Sequence, residues 1–166
     1  NKIAAESAFE GLHFEKGVIE DYQPEKLDVL IALHACDTAT DDAIAKGIHN
    51  QAELIVVAPC CHKQIRKAMS QGQPAADMDF ILKYGLFFER QAEMITDSIR
   101  TLILEYYGYH TKVVDFISDL HTPKNVLIIA QKKKNPAPVA KENFLKELNK
   151  IKTYWGIDKH YLEKIL

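Results

Sequence analysis

Two short clusters of side chains have the chemistry of an active site. His34, Cys36 and Asp37 stand close together, and the run 60–62 reads Cys-Cys-His. An imidazole, with an ordinary pKa of about 6.5, can take a proton at neutral pH, and a thiolate is both a nucleophile and a metal ligand. These residue types indicate either proton transfer by histidine or metal binding by sulfur and nitrogen.

Each cluster directly follows a stretch that is typical of a buried strand. Residues 28–33 and 53–58 are apolar without alternation, as expected for parallel strands that helices cover on both faces. Between them, a segment rich in helix-capping residues precedes a helical pattern, and we interpret Thr38 and Asp41 as caps. Strand–helix–strand units cross over with one hand and set their strands parallel, so both clusters should meet at one edge of the sheet.

The histidines lead our interpretation of this edge. His34 and His62 are candidate general bases, and Cys61 is a third candidate catalytic residue. A zinc site formed by Cys36, Cys60, Cys61 and His62 is the alternative. Structural zinc sites usually take their ligands from Cys-x-x-Cys spacings, and adjacent cysteines on an extended strand point in opposite directions, so the sequence favours no metal site.

The rest of the chain is typical of one α/β domain with a helical tail. The patterns predict helices over 1–9, 61–70 and 87–107, a half-buried or edge strand over 12–16, and strands over 111–117 and 125–131. The last connection is too short for a helical crossover, which predicts an antiparallel final pair. The domain should span 1–134, with a linker at 135–138 and two short helices over 139–166. Core positions predicted in the long helix are Phe87, Met94, Ile95, Leu102 and Tyr106.

Composition narrows the class of protein. The chain has 166 residues, 47% of them hydrophobic, which suits one globular domain with a sizeable core. The net charge of −2 gives no argument from bulk charge for nucleic-acid binding, although a local basic patch stays open. The apolar runs fall well short of the ~20 residues that a membrane helix needs. Three cysteines, two of them adjacent, favour a reducing and therefore cytoplasmic compartment.

Three motifs resemble those of one enzyme family. They are Leu-His-Ala-Cys-Asp-Thr-Ala-Thr-Asp at 33–41, Pro-Cys-Cys-His-Lys at 59–63 and His-Thr-Pro-Lys-Asn at 121–125. In these motifs and in its order of elements the chain resembles class I S-adenosylmethionine-dependent methyltransferases, in the branch that includes the tRNA ribose methyltransferases with a Cys-Cys-His-His motif. The resemblance implies a Rossmann-like α/β sheet, mostly parallel with an antiparallel last pair, S-adenosylmethionine as cofactor, and tRNA or rRNA as a methyl acceptor.

The resemblance also implies where the cofactor would lie. In related enzymes the turn after the third strand contacts the adenine, frequently through an acidic side chain. That turn corresponds here to 17–22, where Glu20 and Asp21 are the acidic residues. The cofactor-binding residues implied in this way are Val18, Ile19, Leu33, His34 and Asp37.

The chain departs from the family in lacking the glycine-rich loop and the first two strands of the sheet. We therefore expect a C-terminal part of a methyltransferase that binds S-adenosylmethionine weakly or not at all. Without those strands the segment 12–16 has no neighbour, so residues 1–26 should pack differently from the family fold or recruit another copy of the chain. The alternative function is a non-catalytic binding or scaffold module that retains the fold.

Overall fold

The computed structural model describes residues 2–116, 125–135 and 140–166. Most of the third motif, residues 121–124, lies outside the described residues. So does most of the predicted linker at 135–138.

A mixed four-stranded sheet forms the centre of the fold. Its strands are β1 (Val29–Leu33), β2 (Leu54–Ala58), β3 (Tyr109–Asp115) and β4 (Val126–Lys132), in the order β1-β2-β4-β3. β1 and β2 are parallel, whereas β4 is antiparallel to both β2 and β3, so three strands run in one direction and β4 in the other. The predicted parallel pair and the predicted antiparallel final pair are both confirmed.

Helices connect and cover these strands. The α-helices are α1 (Lys2–Glu6), α2 (Thr38–His49), α3 (Lys63–Gln71), α4 (Asp79–Leu82), α5 (Gly85–Tyr106), α6 (Lys141–Tyr154) and α7 (Leu162–Ile165), with a 3₁₀ turn at Ala76–Met78. α2 links β1 to β2, which makes the strand–helix–strand unit that the sequence predicts.

The core lies between the sheet and helices α2 and α5. Helix α2 approaches β2 closely at Gly47, where a Cβ atom would lie 2.6 Å from Cδ1 of Ile55. A larger residue at this position would force the Ile55 side chain to shift. Fully buried core members include Ile44, Ile55, Val57, Ile99, Ile103 and Ile128.

The long helix buries a different stripe from the one expected. Ile95 is buried as predicted, but Phe87 and Met94 are 45% and 64% exposed, so their assignment to the core is wrong. The buried stripe of α5 instead passes through Ala92, Ile99 and Ile103, at the spacing of three to four residues that keeps side chains on one helical face. Phe87 and Met94 lie on the opposite face, which the sheet does not cover.

The C-terminal helices pack onto the same core. Leu148, Ile157 and Leu162 belong to its buried cluster, and the ring of Phe144 stacks on Tyr106 of α5 at 4.2 Å between centroids. The two predicted tail helices therefore lie against the sheet domain.

The N-terminal segment is not a strand. Residues 12–16 form no strand and are exposed, because no neighbouring strand accepts their backbone hydrogen bonds among the described residues. The prediction of a strand there is wrong. The expectation that residues 1–26 pack differently from the family fold or recruit another copy of the chain stays a prediction. On this side β1 has no partner strand in the described part of the chain, and Ile31 and Leu33 are 62% and 56% exposed.

Within residues 2–116, 125–135 and 140–166, no helix combines the length and the hydropathy of a membrane-spanning segment.

Candidate functional site

The two predicted clusters of side chains meet at one edge of the sheet, in the turns that follow β1 and β2. Leu33 pairs with Ala58 at the carboxyl ends of β1 and β2, so the chain leaves both strands side by side. In open α/β sheets this is the edge at which ligands bind. The geometric premise of the sequence analysis is therefore confirmed.

The turn after β1 adopts a backbone conformation that side chains rarely take. His34 has φ +60° and Asp37 has φ +56° with ψ −122°. The angles of Asp37 correspond to the first central position of a type II′ turn, which glycine dominates. Such conformations cost about 1–3 kcal/mol and cluster at functional sites. The turn therefore carries strain where the family resemblance places function.

The turn brings Cys36 to the two cysteines after β2. Sγ of Cys36 lies 2.9 Å from Sγ of Cys60, and Sγ of Cys60 lies 3.9 Å from Sγ of Cys61. All three sulfurs lie within 4.8 Å of one another. Cys36 is exposed, and Cys60 and Cys61 are half-buried. We call these three residues the thiol cluster.

The thiols differ in acidity. Hydrogen bonds from Cys60 and Cys61, assisted by the charge of Lys63, lower the pKa of Cys36. The hydrogen bond to Cys36, together with burial, raises the pKa of Cys60 to about 12. Between these two thiols, the negative charge therefore develops on Cys36, the exposed sulfur, before Cys60.

Asp37 connects the two turns rather than pointing into open space. Its Oδ1 accepts a hydrogen bond from the backbone N–H of Gln64 at 3.0 Å, in the first turn of α3. The start of α2 at Asp37 has no side-chain capping bond, so the predicted capping by Thr38 and Asp41 is wrong. Instead, the hydroxyl of Thr40 donates to the carbonyl of Ala35 and closes the turn.

Beneath the turns lies a buried network of charged groups. Nε of Arg100 lies 2.8 Å from Oδ1 of Asp41, and its Nη1 lies 3.0 Å from Oδ1 of Asp97. Nη2 of Arg100 donates to the carbonyl oxygen of Asp37 at 2.9 Å. Burial acts to lower the pKa of Arg100, but the two carboxylates outweigh it and raise the pKa. Arg100 therefore stays charged and connects α5 to the turn after β1.

His62 belongs to this network and not to the exposed edge. The residue is only 4% exposed, and its Nε2 lies 3.3 Å from Oδ1 of Asp97. Its Nδ1 has no hydrogen-bond partner among the described residues. The ring lies inside the protein, whereas His34 is exposed.

A second buried histidine, His160, comes from the tail. Its Nδ1 accepts a hydrogen bond from the backbone N–H of Leu162 at 3.1 Å. Burial lowers the pKa of His160 to about 3, and the charges of Arg100 and Lys152 act in the same direction. His160 is therefore neutral at physiological pH.

An open cavity of about 1110 Å³ lies between the N-terminal segment and β1. Val18, Ile19, Leu33 and His34, four of the five residues implied for cofactor binding, line it. Asp37 is not among the lining residues. Of the two acidic residues in the turn 17–22, Asp21 lines the cavity, whereas the Glu20 carboxylate accepts a hydrogen bond from the Tyr161 hydroxyl at 3.4 Å.

The predicted site residues thus fall into three neighbouring places. The cofactor residues except Asp37 line the cavity, the cysteines form the thiol cluster, and His62 lies in the buried network. The roles assigned to these residues remain predictions.

The sequence analysis missed Asp97, Arg100, Gln64 and His160. Arg100 lies one residue from Ile99 on the apolar stripe of α5, and a charged residue there signals a buried partner. Gln64 lies in the first turn of α3, and packing of the tail brings His160 to the site, since Nε2 of Gln64 donates to the carbonyl of Lys159 at 2.9 Å. No local pattern in the sequence indicates that contact.

Comparison with known protein families gives a match to part of the chain. A family model described as a methyltransferase domain matches residues 1–68, the part of the chain that contains the cavity, both turns and the thiol cluster. The match supports a methyltransferase domain and, in general terms, a methyltransferase function. Neither the comparison with curated proteins nor that with solved structures finds a match to this chain.

Proposed function

We propose that this chain is part of an S-adenosylmethionine-dependent methyltransferase, with the cofactor held in the cavity beside β1. The observation that carries the proposal is the convergence of Val18, Ile19, Leu33 and His34 on one cavity at the carboxyl edge of a parallel strand pair. Val18 and Ile19 come from the turn 17–22, Leu33 and His34 come from the end of β1, and the family resemblance selected both pairs.

The cavity suits the cofactor in size and chemistry. Ligand pockets commonly measure about 300–1,000 Å³, so the volume is sufficient for a nucleoside-sized molecule. Val18, Ile19 and Leu33 offer apolar surface to an adenine ring, and Asp21 offers a carboxylate to hydroxyl groups. S-adenosylmethionine supplies a methyl group on a sulfonium, and the displacement depends mainly on alignment and on exclusion of water.

His34 is the proposed general base. It is exposed, lines the cavity and follows directly on β1, so its imidazole can reach an acceptor hydroxyl beside the cofactor. His62 is buried against Asp97 and is better suited to positioning the turn after β2. Cys61 lies on the same edge, where its half-buried thiol can contact the acceptor.

RNA is the proposed acceptor. Lys63 and Lys67 are exposed on α3, which begins directly after the cysteine turn, whereas Arg66 is held by Glu89 at 2.6 Å. Two exposed lysines beside the site provide a local attraction for phosphate that the net charge of −2 does not show. We place the reaction in the cytoplasm, because free cysteines at an exposed edge persist best in a reducing compartment.

The open side of β1 supports the view that further polypeptide completes the site. Among the described residues no strand pairs with β1 there, and half or more of the surface of Ile31 and Leu33 is exposed. This is where the family fold has its first strands and its glycine-rich loop. The 166 residues should therefore bind S-adenosylmethionine only weakly.

Titration of the isotope-labelled chain with S-adenosylmethionine, followed by NMR, tests the cofactor site. We expect shifts at Val18, Ile19, Leu33 and His34 that saturate only at high concentration. Val18→Glu should abolish them, whereas Val113→Glu, which changes an equally exposed valine on β3, should not. Shifts confined to residues outside the cavity would contradict the proposal and favour the non-catalytic module.

Binding of a fluorescent tRNA transcript, measured over a range of salt concentrations, tests the acceptor class. Lys63→Glu combined with Lys67→Glu should weaken binding and reduce the salt slope by about one per lysine removed. The matched control changes Lys146 and Lys150, two exposed lysines of α6, in the same way. Equal losses in both double variants would show non-specific attraction and argue against the proposed RNA-facing side.

A further inference from the structure

The thiol cluster has the composition of a metal site. Its three sulfurs come from two turns that the parallel pairing of β1 and β2 holds side by side. Thiolates are soft ligands that select zinc and copper(I) over magnesium or calcium. The three sulfurs lie within 4.8 Å of one another, close enough to hold one metal ion together.

The objection drawn from the sequence does not apply to the folded turn. Adjacent cysteines diverge when they lie on an extended strand, but β2 ends at Ala58, and Pro59 precedes the pair. Cys60 and Cys61 therefore lie in a turn, and their sulfurs are 3.9 Å apart. With Zn–S bonds of about 2.3 Å, tetrahedral zinc requires sulfurs about 3.8 Å apart. That pair already has the required spacing.

The third sulfur needs only a small adjustment. Cys36 and Cys60 are 2.9 Å apart at Sγ and would have to separate by about 1 Å to hold the same ion. Cys36 is exposed, so a change of its side-chain rotamer meets little resistance. Lys63, close enough to act on the charge of Cys36, would offset part of the negative charge of three thiolates.

We propose that Cys36, Cys60 and Cys61 bind one Zn²⁺ ion with an open fourth position. His62 does not supply the fourth ligand, because its ring nitrogens do not belong to the group of mutually close ligand atoms and its Nε2 faces Asp97. Three protein ligands with one free position is the arrangement of catalytic rather than structural zinc sites. An oxygen or sulfur ligand taking that position would have its pKa lowered by the ion. This inference is independent of the proposed cofactor site.

Cobalt(II) titration of the reduced, chelator-treated chain tests the site. We expect one equivalent of Co²⁺ to bind with thiolate-to-metal charge-transfer absorption, and added Zn²⁺ to displace it. Cys36→Ser and Cys61→Ser should each weaken binding by about tenfold or more, since even loss of an outer-shell partner costs about that much. His49→Asn, at an exposed histidine of α2, is the control and should change nothing.

A second measurement covers variants that fold poorly. The chain contains three cysteines in all, so mass spectrometry after alkylation reports on every thiol. Zinc should protect all three in the unaltered protein. The proposal is overturned if no charge-transfer band appears, if the band persists in both serine variants, or if zinc leaves the three thiols as reactive toward alkylation as they are without it.

Discussion

Oδ1 of Asp37 accepts a hydrogen bond from the backbone N–H of Gln64 at 3.0 Å. This bond ties the turn after β1 to the start of α3, which follows the turn after β2. Gln64 in turn contacts the tail through the carbonyl of Lys159. One carboxylate therefore holds the relative position of the two turns that form the candidate site.

Replacing Asp37 by glycine and by alanine should separate hydrogen bonding from backbone strain. Both variants lose the bond to Gln64, at a cost of about 0.5–2 kcal/mol. At φ +56° alanine is strained, whereas glycine adopts the same backbone conformation without strain. Asp37→Gly should therefore be more stable than Asp37→Ala by about 1–2 kcal/mol. Urea denaturation measures the free energy of unfolding of both variants. Greater stability of the alanine variant would show that the turn is not strained.

Removal of the Arg100 side chain should strongly destabilise the protein. Arg100→Met leaves the buried carboxylates of Asp41 and Asp97 without their cation, and such losses cost about 3–5 kcal/mol. Arg90→Ala, on the exposed face of the same helix, should change stability by about 0.5 kcal/mol or less. Chemical denaturation at neutral pH compares them, and similar losses for the two variants would refute the role of the buried network.

Acid should weaken the fold through His160. Its folded-state pKa of about 3 lies below the unfolded value of 6.5, so below pH 6.5 the unfolded chain binds the extra proton. Stability due to this group is therefore complete above pH 6.5 and falls by about 1.4 kcal/mol per pH unit down to pH 3. The side-chain oxygen of His160→Asn can still accept the hydrogen bond from the backbone N–H of Leu162. In this variant the free energy of unfolding should depend less steeply on pH. Parallel slopes in the two proteins between pH 4.5 and 7 would contradict this.

The tail should detach partially when Gly72 gains a side chain. A Cβ atom at this position would lie 2.7 Å from the carbonyl carbon of Gly156, and backbone on both sides leaves little room to adjust. We expect Gly72→Ala to lower the free energy of unfolding by about 1–3 kcal/mol. Gly85→Ala, where nothing lies within 4 Å, serves as the control. Hydrogen exchange should rise in residues 157–165 of the Gly72 variant alone, and unchanged exchange there would disprove the coupling.

The sheet was predictable because its signals are local. The runs at 28–33 and 53–58 are apolar throughout, and the helix-forming segment between them leaves only a parallel arrangement. The strand at 12–16 failed for the opposite reason. Alternation of apolar and polar residues indicates a strand only where a neighbour accepts its hydrogen bonds, and β1 pairs with β2 alone in the described part of the chain.

The site was predictable in its residue types but not in its contacts. His34 and the cysteines stand out because they follow strand ends. By contrast, the inward position of His62 depends on Asp97, which lies on a helix far along the chain. Likewise, convergence of the adjacent cysteines depends on the geometry of the turn after β2, which the sequence does not give although it locates the end of the strand at Ala58.

The register of the sheet also indicates the order in which parts of the protein fold. Val29 pairs with Leu54, whereas Leu54 pairs with Gln131, about three times as far along the chain. Closing the shorter loop costs about 1 kcal/mol less entropy than closing the longer one. The segment that carries both turns can therefore assemble early, from nearby contacts, before the distant strands arrive. A folding nucleus in this region would make the sheet edge with the candidate site one of the first parts of the protein to form.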